Sequence, residues 1–157
     1  KIKNLDDSKK ISPKKRNEIY EEIKIKSFEY TFSSASVEEI DKLNILNASL
    51  LAMKRAILML KNKPTECFVD GLYTPKIMGC NLTAMIKGDS LIPSISAASI
   101  VAKVERDNYM ESLHQLFPQY ELNSHKGYPT KKHIFLIKKF GVNKIYRKTF
   151  KPVKDLI

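Results

Sequence analysis

Two short apolar runs that end on an acidic turn set the class of fold open to this chain. Cys67-Phe68-Val69 stops at Asp70-Gly71, and Leu82 to Ile86 stops at Gly88-Asp89. Runs of this length, bounded by glycine and aspartate, read as buried strands. Patterns of helical period stand on both sides of them. Pro13 follows Ser12 and opens a polar helix to about Lys26, with proline in the first turn. Ser36 and Glu39 form a capping box that starts a short helix through Asp41. Ile45 to Leu60 carries an apolar face of Ile45, Leu46, Leu50, Met53, Ile57 and Leu60. Ser94 to Phe117 predicts a long helix closed by Pro118. A polar loop, Asn123 to Pro129, then leads to a helix capped by Thr130 and stopped by Gly141. Phe28 to Ser34 alternates aromatic and polar residues and predicts another strand, and Tyr146 to Lys154 reads as a basic, extended tail. Interleaved helices and strands predict an α/β fold. The 157 residues suit one domain, 1–157.

Charge narrows the partner. Lys and Arg number 28 against 17 Asp and Glu, a net charge of +11. Such an excess favours a polyanion, with nucleic acid ahead of a membrane surface. Cys67 and Cys80 make no disulfide framework, and no CxxC or Cys/His cluster accompanies them, so a cytoplasmic setting is expected. No apolar run approaches the roughly 20 residues of a membrane span. No GxGxxG or GxxxxGK phosphate loop occurs either.

Asp70 and Asp89 are the chemically interesting pair. Ligands of open α/β sheets bind outside the carboxyl ends of the strands, where both acids are expected. Two carboxylates close together repel, and a hard divalent cation relieves that repulsion. The bland alternative is that Asp-Gly simply makes a turn. Asp107 follows Lys103 by four residues, a spacing that suits either an ordinary ion pair or a supporting carboxylate. His125-Lys126-Gly127-Tyr128-Pro129-Thr130 groups an imidazole, an ammonium and an aromatic ahead of a helix. An aromatic there can stack on a base or sugar, and His125 is a possible general acid. Lys9-Lys10 with Lys14-Lys15-Arg16, and Arg147-Lys148 with Lys151, are able to neutralise backbone phosphates or to be plain solvated faces.

Five segments carry a family resemblance: DSKKISPKKR (7–16), EEIDKLNILNASLLAMKRA (38–56), VDG (69–71), KGDSLIPSISAASIVAKVERD (87–107) and HKGYPT (125–130). In this order, with RKTFKPV near the end, they resemble ribonuclease HII over nearly the whole chain. The resemblance implies a ribonuclease H-like mixed sheet flanked by helices. It implies an endonuclease that cuts the RNA strand of RNA–DNA hybrids and incises at ribonucleotides embedded in duplex DNA, work belonging to replication and ribonucleotide excision repair. The cofactor would be Mn²⁺ or Mg²⁺, the products 3′-hydroxyl and 5′-phosphate ends, and the protein a monomer. By motif, Asp70 and Asp89 match two of four metal-binding carboxylates, with Asp107 in support. Tyr128 matches the tyrosine that stacks on the deoxyribose at an RNA-to-DNA junction. Lys9, Lys10, Arg106, Lys126 and Arg147 are expected along the nucleic acid.

One departure is large. The family opens on a strand with an Asp-Glu-Ala-Gly-Arg-Gly motif, which supplies the other two acids and reads the ribose 2′-hydroxyl. No such stretch occurs among these 157 residues. The chain is therefore expected to lack the first strands of the family sheet and to be inactive or weak as it stands. Leu91 also stands where the family often has a basic residue. Two other classes stay open: a non-catalytic RNA- or hybrid-binding module, and a ribosomal-type basic protein.

Overall fold

The structure is a computed structural model that describes Ile2, Leu5 and residues 11–157. Lys9 and Lys10 lie outside the described residues. The chain divides into two compact units: Lys1–Ser34 with Ser49–Val104, and Ala35–Ala48 with Glu105–Ile157.

In the first unit, α1 (Pro13–Lys26) starts where Ser12 and Pro13 predict, with the Ser12 hydroxyl accepting from the Lys15 N–H at 3.2 Å. Ile19, Tyr20 and Ile23 of α1 pack with Ile100, Val101 and Val104 of α4 (Pro93–Leu116) to form a core. Full burial of each such aliphatic side chain stabilises the fold by about 1.5–3 kcal/mol. Strand β1 (Glu66–Asp70) pairs in parallel with β2 (Asn81–Met85), with Cys67 opposite Leu82 and Asp70 opposite Met85. Both strands fall where the apolar runs predict. The expected mixed sheet is represented among the described residues by these two parallel strands. They are also less buried than expected, since Val69 alone among their residues is buried. A pair of strands offers each strand a single neighbour, and parallel strands are normally buried by cover on both faces. Cys67 and Cys80 are free thiols whose sulfurs lie 3.5 Å apart.

The predicted strand at Phe28–Ser34 is irregular instead. Several of its polar groups find partners without a ladder. Glu29 accepts from the Lys61 and Asn62 amides at 2.6 and 3.2 Å, the Thr31 hydroxyl donates to the Ala56 carbonyl at 2.7 Å, and Arg55 donates to the Ser34 carbonyl at 3.1 Å. Phe28 is exposed.

The two helices predicted on either side of Asn44 form α2 (Val37–Met59), whose backbone leaves helical geometry at Asn44, φ 68°. The capping box forms as read: Glu39 accepts from the Ser36 N–H, and Ser36 from the Glu39 N–H. Asn44 then caps the continuation by accepting from the Asn47 N–H at 3.1 Å. The expected apolar face of α2 is largely open, and Ala48 is its one buried residue.

The second unit centres on Met110, Tyr120, Leu122, Ile137, Tyr146 and Val153. Tyr120 donates to the Gly141 carbonyl at 2.9 Å and meets Tyr146 edge-on at 5.3 Å. The predicted polar loop begins with one helical turn, α5 (Leu122–His125), and α6 (Lys131–Phe140) follows under the Thr130 cap. The tail is turned instead of extended, ending in a 3-10 turn at Val153–Asp155. Among the described residues no helix is long and apolar enough to cross a membrane.

Candidate functional site

Asp70 is the last residue of β1, and Gly71 turns the chain at φ +105°, where a side chain would be strained. Asp89 does not end a strand as expected. It is the second residue of α3 (Gly88–Leu91), a single helical turn beyond β2. The two acids are nevertheless linked, because Asp70 Oδ1 accepts the Gly88 N–H at 2.9 Å. The backbone that carries Asp89 is thus tied to the Asp70 carboxylate. Asp70 is exposed and Asp89 half-buried. Gly88 is buried and closely packed: a Cβ would stand 2.6 Å from Ile95 Cδ1, so that side chain would have to shift, and 3.6 Å from Asp70 Oδ1, an ordinary contact. Sequence reasoning read Gly88 only as a turn residue, and its packing role was not visible without Ile95.

Among the described residues no three His, Cys, Asp or Glu side chains are grouped to hold a metal. A closed zinc site of four protein ligands is therefore not formed by them. Mg²⁺ makes different demands. It is commonly held by one or two carboxylates and takes its other oxygens from water and substrate phosphate. Asp70 and Asp89 are two carboxylates of that kind, connected through the Gly88–Asp70 bond.

The second unit holds the other expected contacts. Tyr128 is 58% exposed. Arg106, also exposed, donates to the Lys126 carbonyl at 2.9 Å and lies 5.5 Å over the Tyr128 ring. The Lys126 ammonium pairs with Glu111 at 3.2 Å. Arg147 lies 4.0 Å over the Phe150 ring. Burial pushes the Arg147 guanidinium pKa down, the positive field of Arg106 adds to that, and Asp41 opposes it. Arg106, Lys126, Tyr128 and Arg147 are thus gathered in one unit. Asp107 lies half-buried on α4 in the same unit.

His125 does not fit the role of general acid. It is buried, its Nε2 meets the Tyr120 carbonyl at 2.8 Å, and its Nδ1 accepts the Gly127 N–H at 3.2 Å. It has no free face for a substrate proton. His133, which sequence reasoning passed over, stacks on it at 3.9 Å. Burial holds the His133 imidazole below its ordinary range, and the neighbouring His125 pushes the same way against the Tyr128 carbonyl. The signal in the sequence was its place three residues after the Thr130 cap, on the inner side of α6.

Known proteins resemble this chain along nearly its whole length. The sequence model of the family described as Ribonuclease HII matches residues 2–153. The chain is 53% identical to the ribonuclease HII of Alteromonas mediterranea, over 99% of this chain and 82% of that one. It is 47% identical to that of Desulforamulus reducens, over 99% and 78%. The fold is shared with the ribonuclease H2 of Pyrococcus horikoshii at a TM-score of 0.75 and 21% identity, over 98% and 80%. A match of this extent, in the motif order found along the sequence, leaves one assignment: the chain belongs to the ribonuclease HII family.

Proposed function

We propose that residues 1–157 act as one catalytic domain that hydrolyses the RNA strand of RNA–DNA hybrids and incises duplex DNA at embedded ribonucleotides. Family membership implies ribonuclease H endonuclease activity. The observation that carries the finer reading is the bond from Gly88 to Asp70, which ties the end of β1 to the helical turn that carries Asp89. In this reading Asp70 and Asp89 hold divalent cations, Mg²⁺ or Mn²⁺, and Asp107 supports them. Such ions, when bound, neutralise phosphate charge and assist attack by water in line with the departing oxygen. The ends left are 5′-phosphate and 3′-hydroxyl.

The chain's own residues do the positioning. Tyr128 offers an exposed ring for stacking at the RNA-to-DNA junction. The positive field of Arg106 adds to burial in opposing the charge on Arg147, and a phosphate oxygen between the two groups relieves that repulsion. Lys126, Lys9 and Lys10 add backbone contacts. We place the activity in the cytoplasm, in a monomer, in the service of replication and ribonucleotide excision repair. Because the 157 residues hold no Asp-Glu-Ala-Gly-Arg-Gly stretch, this polypeptide alone is expected to cleave weakly.

The deciding assay uses a labelled RNA–DNA hybrid with Mg²⁺ or Mn²⁺. Slow cleavage by the 157-residue chain, abolished by Asp70→Asn or Asp89→Asn with binding retained, supports the enzyme reading. Binding with no cleavage under either ion, unchanged by both substitutions, supports the alternative of a non-catalytic RNA- or hybrid-binding module. Turnover equal to that of the Alteromonas mediterranea relative refutes the expected weakness.

A further inference from the structure

Against the backbone of Gly127 and Tyr128 lies a pair of buried histidines whose hydrogen-bond partners fix their tautomers. His125 and His133 are 6% and 4% exposed, and their rings stack at 3.9 Å with 20° between planes. The Tyr120 carbonyl can only accept, so His125 carries its hydrogen on Nε2 and leaves Nδ1 to accept the Gly127 N–H. His133 is the reverse. Its Nδ1 lies 2.9 Å from the Tyr128 carbonyl and must donate, which leaves Nε2 to accept from the Tyr146 hydroxyl at 3.2 Å.

These ties fall on consecutive residues. Arg106 holds the Lys126 carbonyl, His125 holds the Gly127 amide, and His133 holds the Tyr128 carbonyl. Lys126 and Gly127 both have positive φ, 48° and 81°, a tight bend that needs such support. The backbone of Tyr128 is therefore pinned while its ring stays open to solvent.

We propose that His133 is a positioning residue for Tyr128: its Nδ1–H fixes the Tyr128 carbonyl, and so sets where the ring meets a ribonucleotide-containing strand. The proposal rests on the reading of Tyr128 as a nucleic-acid contact. A ring held in place before the ligand arrives loses less freedom on binding than a mobile one.

The test is a double-mutant cycle read as affinity. The 157-residue chain is titrated, in EDTA, into a fluorescein-labelled DNA duplex carrying one ribonucleotide, and anisotropy gives Kd. His133→Gln keeps a polar group near Nε2 but has no donor at Nδ1, and should weaken binding about tenfold. His133→Asn places its amide nitrogen near Nδ1 and should restore affinity to within about twofold. In a Tyr128→Ala background, His133→Gln should add nothing, because partners that act through one another are not additive. Thermal melts report whether each variant folds. If His133→Gln does not fold, the tautomer is read in the unaltered chain from long-range proton–nitrogen-15 spectra of the imidazoles. A His133 protonated on Nε2 overturns the proposal. So does an equal loss from His133→Gln in both backgrounds, or no loss from it in a folded protein. If Tyr128→Ala alone leaves Kd unchanged, the reading of Tyr128 as a contact fails instead.

Discussion

Gly88 shows how one missing side chain organises the acidic end of the sheet. Its φ is not in the left-handed region, so the requirement is not conformational freedom. It is space, since Met85 Cβ at 3.3 Å and Ile95 Cδ1 at 2.6 Å bound the position where a Cβ would stand. Of these the Ile95 methyl is the tighter, and Ile95 is buried at 6% exposure. Gly88→Ala should therefore destabilise the protein by about 1–3 kcal/mol through overpacking. It should also lengthen the Gly88–Asp70 hydrogen bond and weaken Mn²⁺ binding, measured by the loss of the free-ion paramagnetic signal. Ile95→Val removes the clashing Cδ1, so the Gly88→Ala, Ile95→Val pair should regain part of both losses. A double variant no better than Gly88→Ala alone would show that the strain lies elsewhere.

At the scale of elements, what the sequence made legible was what is local. Ser12, Ser36 with Glu39, and Thr130 cap helices through bonds that span three residues, so their starts could be read directly. The apolar runs at 67–69 and 82–86 located both strands for the same reason. Phe28–Ser34 was misread because its partners, Arg55 to Asn62, are more than twenty residues away, and side-chain bonds to them replaced a ladder. The tail was misread for a similar cause. Asp41 accepts from the Lys148 and Thr149 amides at 2.8 and 3.0 Å and from the Thr149 hydroxyl at 2.6 Å, across more than a hundred residues. At the candidate site Asp70, Asp89 and Tyr128 were legible as motif residues, whereas Gly88 and His133 act through contacts that no spacing rule reveals. Burial opposes the charge on Asp41, but the Thr149 and Lys148 hydrogen bonds outweigh it and hold the carboxyl below its usual range. Asp41→Asn keeps the shape yet replaces one accepting oxygen by a donor facing donors. It should loosen residues 147–151, seen as faster trypsin cleavage after Arg147 or Lys148 with little change in the melting temperature. Cleavage at the unaltered rate would mean that the clasp does not hold the tail.

For the whole molecule, the net charge of +11 and the grouping of particular cations make different predictions about salt. A polyanion bound through phosphates releases counterions, and log affinity falls against log salt by about 0.9 per phosphate neutralised on duplex DNA. If binding depends only on overall charge, removing any one cation should lower that slope by a similar small amount. If the charge has an address, the loss concentrates in Arg106 and Arg147. Arg106→Ala and Arg147→Ala should then each reduce the slope by about 1, while Lys138→Ala, an exposed cation on α6, should leave it nearly unchanged. Arg106 carries a second signature. It also braces the Lys126 carbonyl and lies over the Tyr128 ring at 5.5 Å, so Arg106→Ala should weaken binding even when the lines are extrapolated to 1 M salt, where counterion release contributes nothing. Arg147→Ala should converge with the unaltered chain at that limit. The measurement is Kd by anisotropy on a ribonucleotide-containing duplex across a salt series. Equal slopes for all three variants would assign the charge to general attraction and leave the loop at 125–130 without electrostatic work of its own.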